Sequence, residues 1–143
     1  TYLINKIEKM KLSYIFSKII IDDNMITISG EKVKTSLING ENIYIMSALG
    51  DSKGFEETIN KTGAIVKGHK KFSDHYNYET KDIQKIEKNA IKSNAKFLIT
   101  TEKDMVKIKN YNGKIPLCSL KIYFIVEQKD ELESYLNKIN NNN

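Results

Sequence analysis

The sequence predicts an α/β fold: a mostly parallel, Rossmann-like sheet flanked by helices and preceded by a helix and β-hairpin arm. Three observations carry this. Ile43-Tyr44-Ile45-Met46 and Phe97-Leu98-Ile99-Thr100 are near-continuous apolar runs of strand length, the pattern of strands buried on both faces. Between them, Ile83, Ile86, Ala90 and Ile91 fall at helical spacing. Strands that alternate with helices in this way build a parallel sheet with helices on both sides.

The elements follow in chain order. Leu3, Ile7, Met10 and Tyr14 recur at three-four spacing with Lys6, Lys9 and Lys11 between them, so an amphipathic helix is expected over residues 2–16. Two β-rich runs, Met25-Ile26-Thr27-Ile28 and Val33-Lys34-Thr35-Ser36-Leu37, flank Ser29-Gly30-Glu31-Lys32, a hairpin signal. Asn39-Gly40 then breaks the chain, which suggests a linker arm over 1–40 and an α/β body over 41–143. In that body the 43–46 strand leads to a short helix through Phe55 and Ile59 that stops at Gly63. Ala64-Ile65-Val66 opens the next strand, Thr80 is the expected cap of the helix through Ile83, and the 97–100 run runs straight into a helix start. Residues 122–126 read as a last strand, Leu132, Tyr135, Leu136 and Ile139 as a closing helix, and 140–143 as a polar tail.

Composition narrows the function classes. A chain of 143 residues suits one domain. No apolar run approaches the roughly 20 residues that cross a bilayer. The first residue is Thr1 rather than Met, which suggests a processed chain or a piece of a longer one. The net charge of +5 comes entirely from 23 Lys with no Arg, and Ile, Lys and Asn fill 60 of 143 positions. Codon bias alone raises those three residues together. A sequence-reading nucleic-acid surface needs Arg forks and stacking aromatics among its cations, so no nucleic-acid partner is expected. An anionic membrane surface is a better match for this charge. The lone Cys118 rules out an internal disulfide framework and reads as a small buried hydrophobe.

Three stretches fall just past expected strand ends, where open α/β sheets bind their ligands. Ser47-Ala48-Leu49-Gly50-Asp51-Ser52-Lys53-Gly54-Phe55 passes from strand to helix through small residues. It is read either as an anion-receiving loop at Gly50 or as a tight turn that uses glycine for its backbone freedom. Phe72-Ser73-Asp74-His75-Tyr76-Asn77-Tyr78 sets Asp74 beside His75, a pair suited to proton transfer near neutral pH. His69, between Gly68 and Lys70, has no such company and is expected at the surface. In Thr100-Thr101-Glu102-Lys103-Asp104, a capping box accounts for Thr101, Glu102 and Asp104. It does not account for Lys103, a cation at the unfavourable end of a helix, and that placement motivates anion contact there.

Taken in order, these stretches resemble the second half of the tetraacyldisaccharide 4'-kinase family of lipid A synthesis. The 47–55 segment resembles that family's strand followed by Gly-Ile-Gly-Asn-Pro. Residues 72–78 are similar to its Phe-x-Asp-His-His-x-Tyr, and Thr100-Thr101-Glu102-Lys103-Asp104-Met105-Val106-Lys107 to its Thr-Thr-Glu-Lys-Asp-Ala-Val-Lys. Tyr76 stands where the family has a second His, and the 47–52 segment lacks the family's Pro and first Gly.

The resemblance implies one lobe of a P-loop kinase that moves the terminal phosphoryl of ATP, with Mg²⁺, to the 4'-hydroxyl of a lipid A precursor disaccharide. It further implies work at the cytoplasmic face of the bacterial inner membrane, with an amino-terminal P-loop lobe as partner. His75 and Asp74 inherit catalytic roles from it, and Lys103, Thr101, Glu102 and Gly50 nucleotide or phosphate contact. The chain alone is expected to be inactive. A free-standing, non-catalytic α/β ligand-binding module is the alternative.

Overall fold

The computed structural model describes residues 2–12 and 14–140, and Asn140 without its side chain. Among the described residues the elements are, in chain order, α1 (Tyr2–Lys9), β1 (Ser17–Ile21), β2 (Asn24–Thr27), β3 (Lys32–Lys34), β4 (Asn42–Ser47), α2 (Ser52–Asn60), β5 (Ile65–Lys71), α3 (Thr80–Lys92), β6 (Phe97–Thr101), α4 (Glu102–Met105), β7 (Leu117–Leu120), β8 (Ile122–Val126) and α5 (Lys129–Asn140), with a 3-10 turn at Thr35–Ile38 between β3 and β4. The expected α/β class is what the chain adopts. Six strands form one sheet in the order β3-β2-β7-β6-β4-β5. β7, β6, β4 and β5 run parallel, and the β2–β3 hairpin is added antiparallel along β7.

The chain divides into two compact units, residues 21–122 and the paired ends 1–20 with 123–143. This corrects the expected boundary at Asn39-Gly40. The hairpin is no separate arm, because Ile26 and Thr27 pair with Ser119 and Cys118 and make it part of the central sheet.

Within the 21–122 unit the sheet is covered on both faces. One face packs Met25, Ile38, Ile43, Ile45, Ile99 and Cys118 against Phe55 and Ile59 of α2. The other packs Met46, Leu98 and Leu117 against Ile83, Ile86 and Ala90 of α3. β4 and β6 are therefore buried on both sides, which explains their unbroken apolar sequence.

The unit made from the chain ends has no buried residue among those described. It consists of α1, the β1–β8 ribbon and α5, and it carries 13 of the 17 exposed large hydrophobic side chains, Tyr2, Phe16, Phe124 and Tyr135 among them. None of the described helices is long and apolar enough to cross a membrane.

Several local expectations needed correction. α1 stops at Lys9 instead of reaching residue 16: Lys11 adopts φ +52°, and Lys11 and Leu12 N–H donate to Glu8 and Ile7 carbonyls. That pair of bonds closes a helix end with a left-handed residue. β3 ends at Lys34, where Thr35 turns to bond the Asp22 and Asp23 carbonyls and the 3-10 turn carries Ile38 into the core. Glu79, not Thr80, caps α3, in a reciprocal box with Asp82. β1 and β7 lay in stretches where no strand was expected. The polar tail beyond Asn140 lies outside the described residues.

Candidate functional site at the carboxyl edge of the sheet

β4 is the topological switch point. From it the chain passes through α2 to β5 on one side, and then through α3 to β6 on the other. In open α/β sheets the crevice outside the carboxyl ends at such a point receives ligands. Here that position lies between the 48–51 loop after β4 and the first turn of α4 after β6. The 72–79 loop leaves the same edge from β5. All three sequence-selected stretches thus share one rim. The loops bearing His75 and Lys103 are not immediate neighbours, because β4 and its loop lie between them.

Asp104 ties this rim together. Its side chain is 0% exposed; Oδ2 accepts from Ala48 N at 3.0 Å and from Thr101 Oγ1 at 2.9 Å. Thr101 Oγ1 in turn accepts from Asp104 N at 3.1 Å, the N-cap bond of α4. Lys107 Nζ lies 3.6 Å from Oδ1, which makes no hydrogen bond. One buried carboxylate thereby joins the start of α4 to the loop across the crevice. The Thr101 hydroxyl is spent on this cap, so its geometry is that of a structural residue. Glu102 and Lys103 are exposed on the first turn, as is Gly50 on the opposite loop.

The Gly50 loop is less open to an anion than its sequence suggests. Asp51 caps α2, and its Oδ1 accepts from Gly54 N at 2.8 Å. A carboxylate already occupies the position an incoming anion would take at that helix start.

Asp74 and His75 form the tip of the 72–79 loop. The His75 side chain is 91% exposed, with Nε2 3.7 Å from Asp74 Oδ2, and its own N–H donates to Asp74 Oδ1 at 3.0 Å. His75 adopts φ +59°, a left-handed conformation that His tolerates better than most residues. Aromatic rings brace the loop base: Phe72 stacks on Tyr76 at 4.4 Å between ring centres, and Tyr78 meets both edge-on. Tyr76 OH donates to Asp82 at the start of α3. The imidazole is thus held on a firm base and presented to solvent. Among the described residues the buried Tyr78 hydroxyl makes no hydrogen bond, and burial first, then the nearby Asp104 charge, raises its pKa well above the ordinary tyrosine value.

His69 was expected at the surface and lies inside. Its side chain is 5% exposed. Nδ1 donates to Glu56 Oε2 at 2.9 Å, which leaves Nε2 to accept from Ser47 Oγ at 2.8 Å. Burial, the largest influence, lowers its pKa against the opposing pull of Glu56. The ring is therefore neutral at pH 7, and its contact with Glu56 is a hydrogen bond rather than an ion pair. A register shift hides it from the sequence. Ile43 pairs with Val66 but Ile45 pairs with His69, so β5 carries one extra residue at this point. Such a bulge turns the following residues to the other face.

Cys118 lies fully buried on β7, as its sequence context suggested, with its thiol pushed up to about 11 by burial.

A mostly parallel sheet covered by helices on both faces, with polar loops gathered at its switch point, defines a doubly wound α/β domain. Its family follows from comparison: residues 5–141 match the model described as tetraacyldisaccharide-1-P 4'-kinase, and the chain belongs to that family. It is 33% identical over 112 residues to a tetraacyldisaccharide 4'-kinase of Desulfatibacillum aliphaticivorans, covering 76% of this chain and 30% of the relative. A Desulfotalea psychrophila enzyme of the same name is 36% identical over 89 residues, 62% of this chain and 25% of that protein. The chain thus spans under a third of these relatives. A crystal structure of LpxK from Aquifex aeolicus, described as an "apo" form in complex with ATP, shares the fold with a TM-score of 0.53 at 20% identity, covering 93% of this chain and 40% of that one.

Proposed function

We propose that this chain is the carboxy-terminal lobe of an ATP-dependent kinase that phosphorylates the 4'-hydroxyl of a tetraacyldisaccharide 1-phosphate in lipid A biosynthesis. The single observation that carries this reading is the common rim, on which exposed Lys103 borders the switch point braced by Asp104 and exposed His75 stands on the far side of the 48–51 loop. A lobe of this kind completes a cleft rather than enclosing one, so the chain alone transfers nothing. Phosphoryl transfer relies on positioning and charge neutralisation more than on covalent chemistry. At this rim Lys103 is suited to meet the phosphate charge of ATP, and Glu102 and the Gly50 loop lie at the same edge. His75, steadied by Asp74, is suited to hold a proton at its imidazole as the acceptor hydroxyl reacts.

ATP supplies the transferred group. The residues present do not form a Mg²⁺ cage: among those described, no three His, Cys, Asp or Glu side chains cluster as metal ligands. Metal coordination therefore belongs with the phosphates and an amino-terminal P-loop lobe. That lobe is also our proposed cover for the apolar side chains of the end unit, none of which is buried here. Net positive charge is suited to the cytoplasmic face of the bacterial inner membrane, where the lipid substrate resides.

The test uses the longer kinase that carries this lobe. His75→Ala is expected to lower kcat by about 10²-fold or more with ATP affinity nearly unchanged. Normal kcat in that variant, or robust turnover by the 143-residue chain alone, overturns the proposal.

A further inference from the structure

Beside the rim, on the α3 face, lies a cavity of about 760 Å³ that the kinase reading leaves unused. Neither His75 nor Lys103 lines it. Its walls come from the tail of the 72–79 loop, the first turn of α3 and the stretch that follows α4. Its volume falls within the range of small-molecule sites.

The side chains around it sort by what already engages them. Lys81 is paired with Glu79 at 2.7 Å, and those two charges offset one another. Lys107, only 26% exposed, leans on buried Asp104. Lys109 makes no ion pair among the described residues, and Asn77, Thr80 and Asn110 make no side-chain hydrogen bonds among them. Asn110 also sits at φ +55°, a left-handed backbone conformation at the cavity edge. One uncommitted ammonium and a second held at the wall thus face three uncommitted amide and hydroxyl groups. Ammonium groups suit phosphate as point charges, and amides and hydroxyls suit sugar hydroxyls.

We propose that this cavity binds a phosphate monoester of a hydroxylated, sugar-sized group, with Lys109 and Lys107 on the phosphate and Asn77, Thr80 and Asn110 on the hydroxyls. The inference rests on the kinase reading, for which it supplies a place for the phosphorylated end of the substrate. It does not require His75 to be catalytic.

The experiment needs only this chain. Glucosamine 1-phosphate, inorganic phosphate and glucosamine are each titrated into the ¹⁵N-labelled protein. The sugar phosphate is expected to shift the amides of residues 77–81 and 107–110 saturably and to bind more tightly than either half alone. Lys109→Met is expected to weaken that binding about tenfold, equivalent to about 1.4 kcal/mol, whereas Lys92→Met at the far end of α3 leaves it unchanged. Equal binding of phosphate and sugar phosphate, equal loss in both variants, or shifts confined elsewhere overturns the site. Because no turnover is measured, these outcomes remain separate from the fate of His75.

Discussion

Replacing Asp104 with Ala tests the idea that one carboxylate fastens the rim. The wild-type Oδ2 accepts two hydrogen bonds, from Ala48 N and Thr101 Oγ1. Hydrogen bonds to charged groups contribute about 1.5–3 kcal/mol each, and a buried donor left unpaired costs about 1–3 kcal/mol. Ala48 is 2% exposed, so its N–H has no ready access to water once the carboxylate is gone. Against this stands relief from burying a charge with one unpartnered oxygen, Oδ1, offset only in part by Lys107. The net expectation is a loss of about 3 kcal/mol, a large share of the roughly 5–15 kcal/mol that holds a domain together. Asp104→Asn keeps the shape and one acceptor, so it should lose about half as much. Urea unfolding followed by circular dichroism reads both values, and amide exchange at Ala48 should quicken before global unfolding. A loss under about 1 kcal/mol in the alanine variant, with Ala48 still protected, would refute the reasoning.

Two further outcomes are expected. His69 has a folded pKa below its ordinary 6.5, so unfolding takes up a proton as pH falls through that value; its contribution is intact above 6.5 and fades below it. Glu56, lowered from 4.5 chiefly by its bond from His69, adds a loss in the same direction at lower pH. Stability should therefore drop as pH falls from 7 towards 5, and His69→Gln should flatten that slope in denaturant melts at stepped pH. For Cys118, a buried thiol with pKa about 11 should resist alkylation at pH 8 in the native protein and react fully in denaturant. Rapid native labelling by iodoacetamide would contradict the packed position of β7.

Residues buried on both faces made the centre of this fold legible in sequence. β4 and β6 announced themselves as apolar runs, and α3 through the spacing of Ile83, Ile86 and Ala90. β7 was harder. Only Leu117, Cys118, Ser119 and Leu120 form it, and its burial comes from neighbours on both sides rather than from a conspicuous apolar run. β1 escaped because Ile19, Ile20 and Ile21 have no partner nearby in sequence; β8 lies about a hundred residues further on. At the site, the shared edge of the three loops followed from strand-helix alternation. The role of Asp104 did not, since a cap accounts for it locally while its bond to Ala48 spans 56 residues. His69 was placed at the surface because its sequence neighbours offer it no company; its partners Glu56 and Ser47 lie 13 and 22 residues away, and the extra residue near Gly68 shifts the register of β5 that brings them together. Gly68 belongs there for space as well: a Cβ would run into the Tyr44 ring.

Among the described residues the paired chain ends bury no side chain, and that alters how substitutions register in them. In residues 21–122, a changed side chain is first screened by whether the fold tolerates it. At Leu3, Phe124 or Tyr135 that screen is weaker, because each side chain is more than half exposed. Variation in this part of the molecule is answerable mainly to whatever it meets, so a lineage that lost its counterpart would wear down first at its two termini.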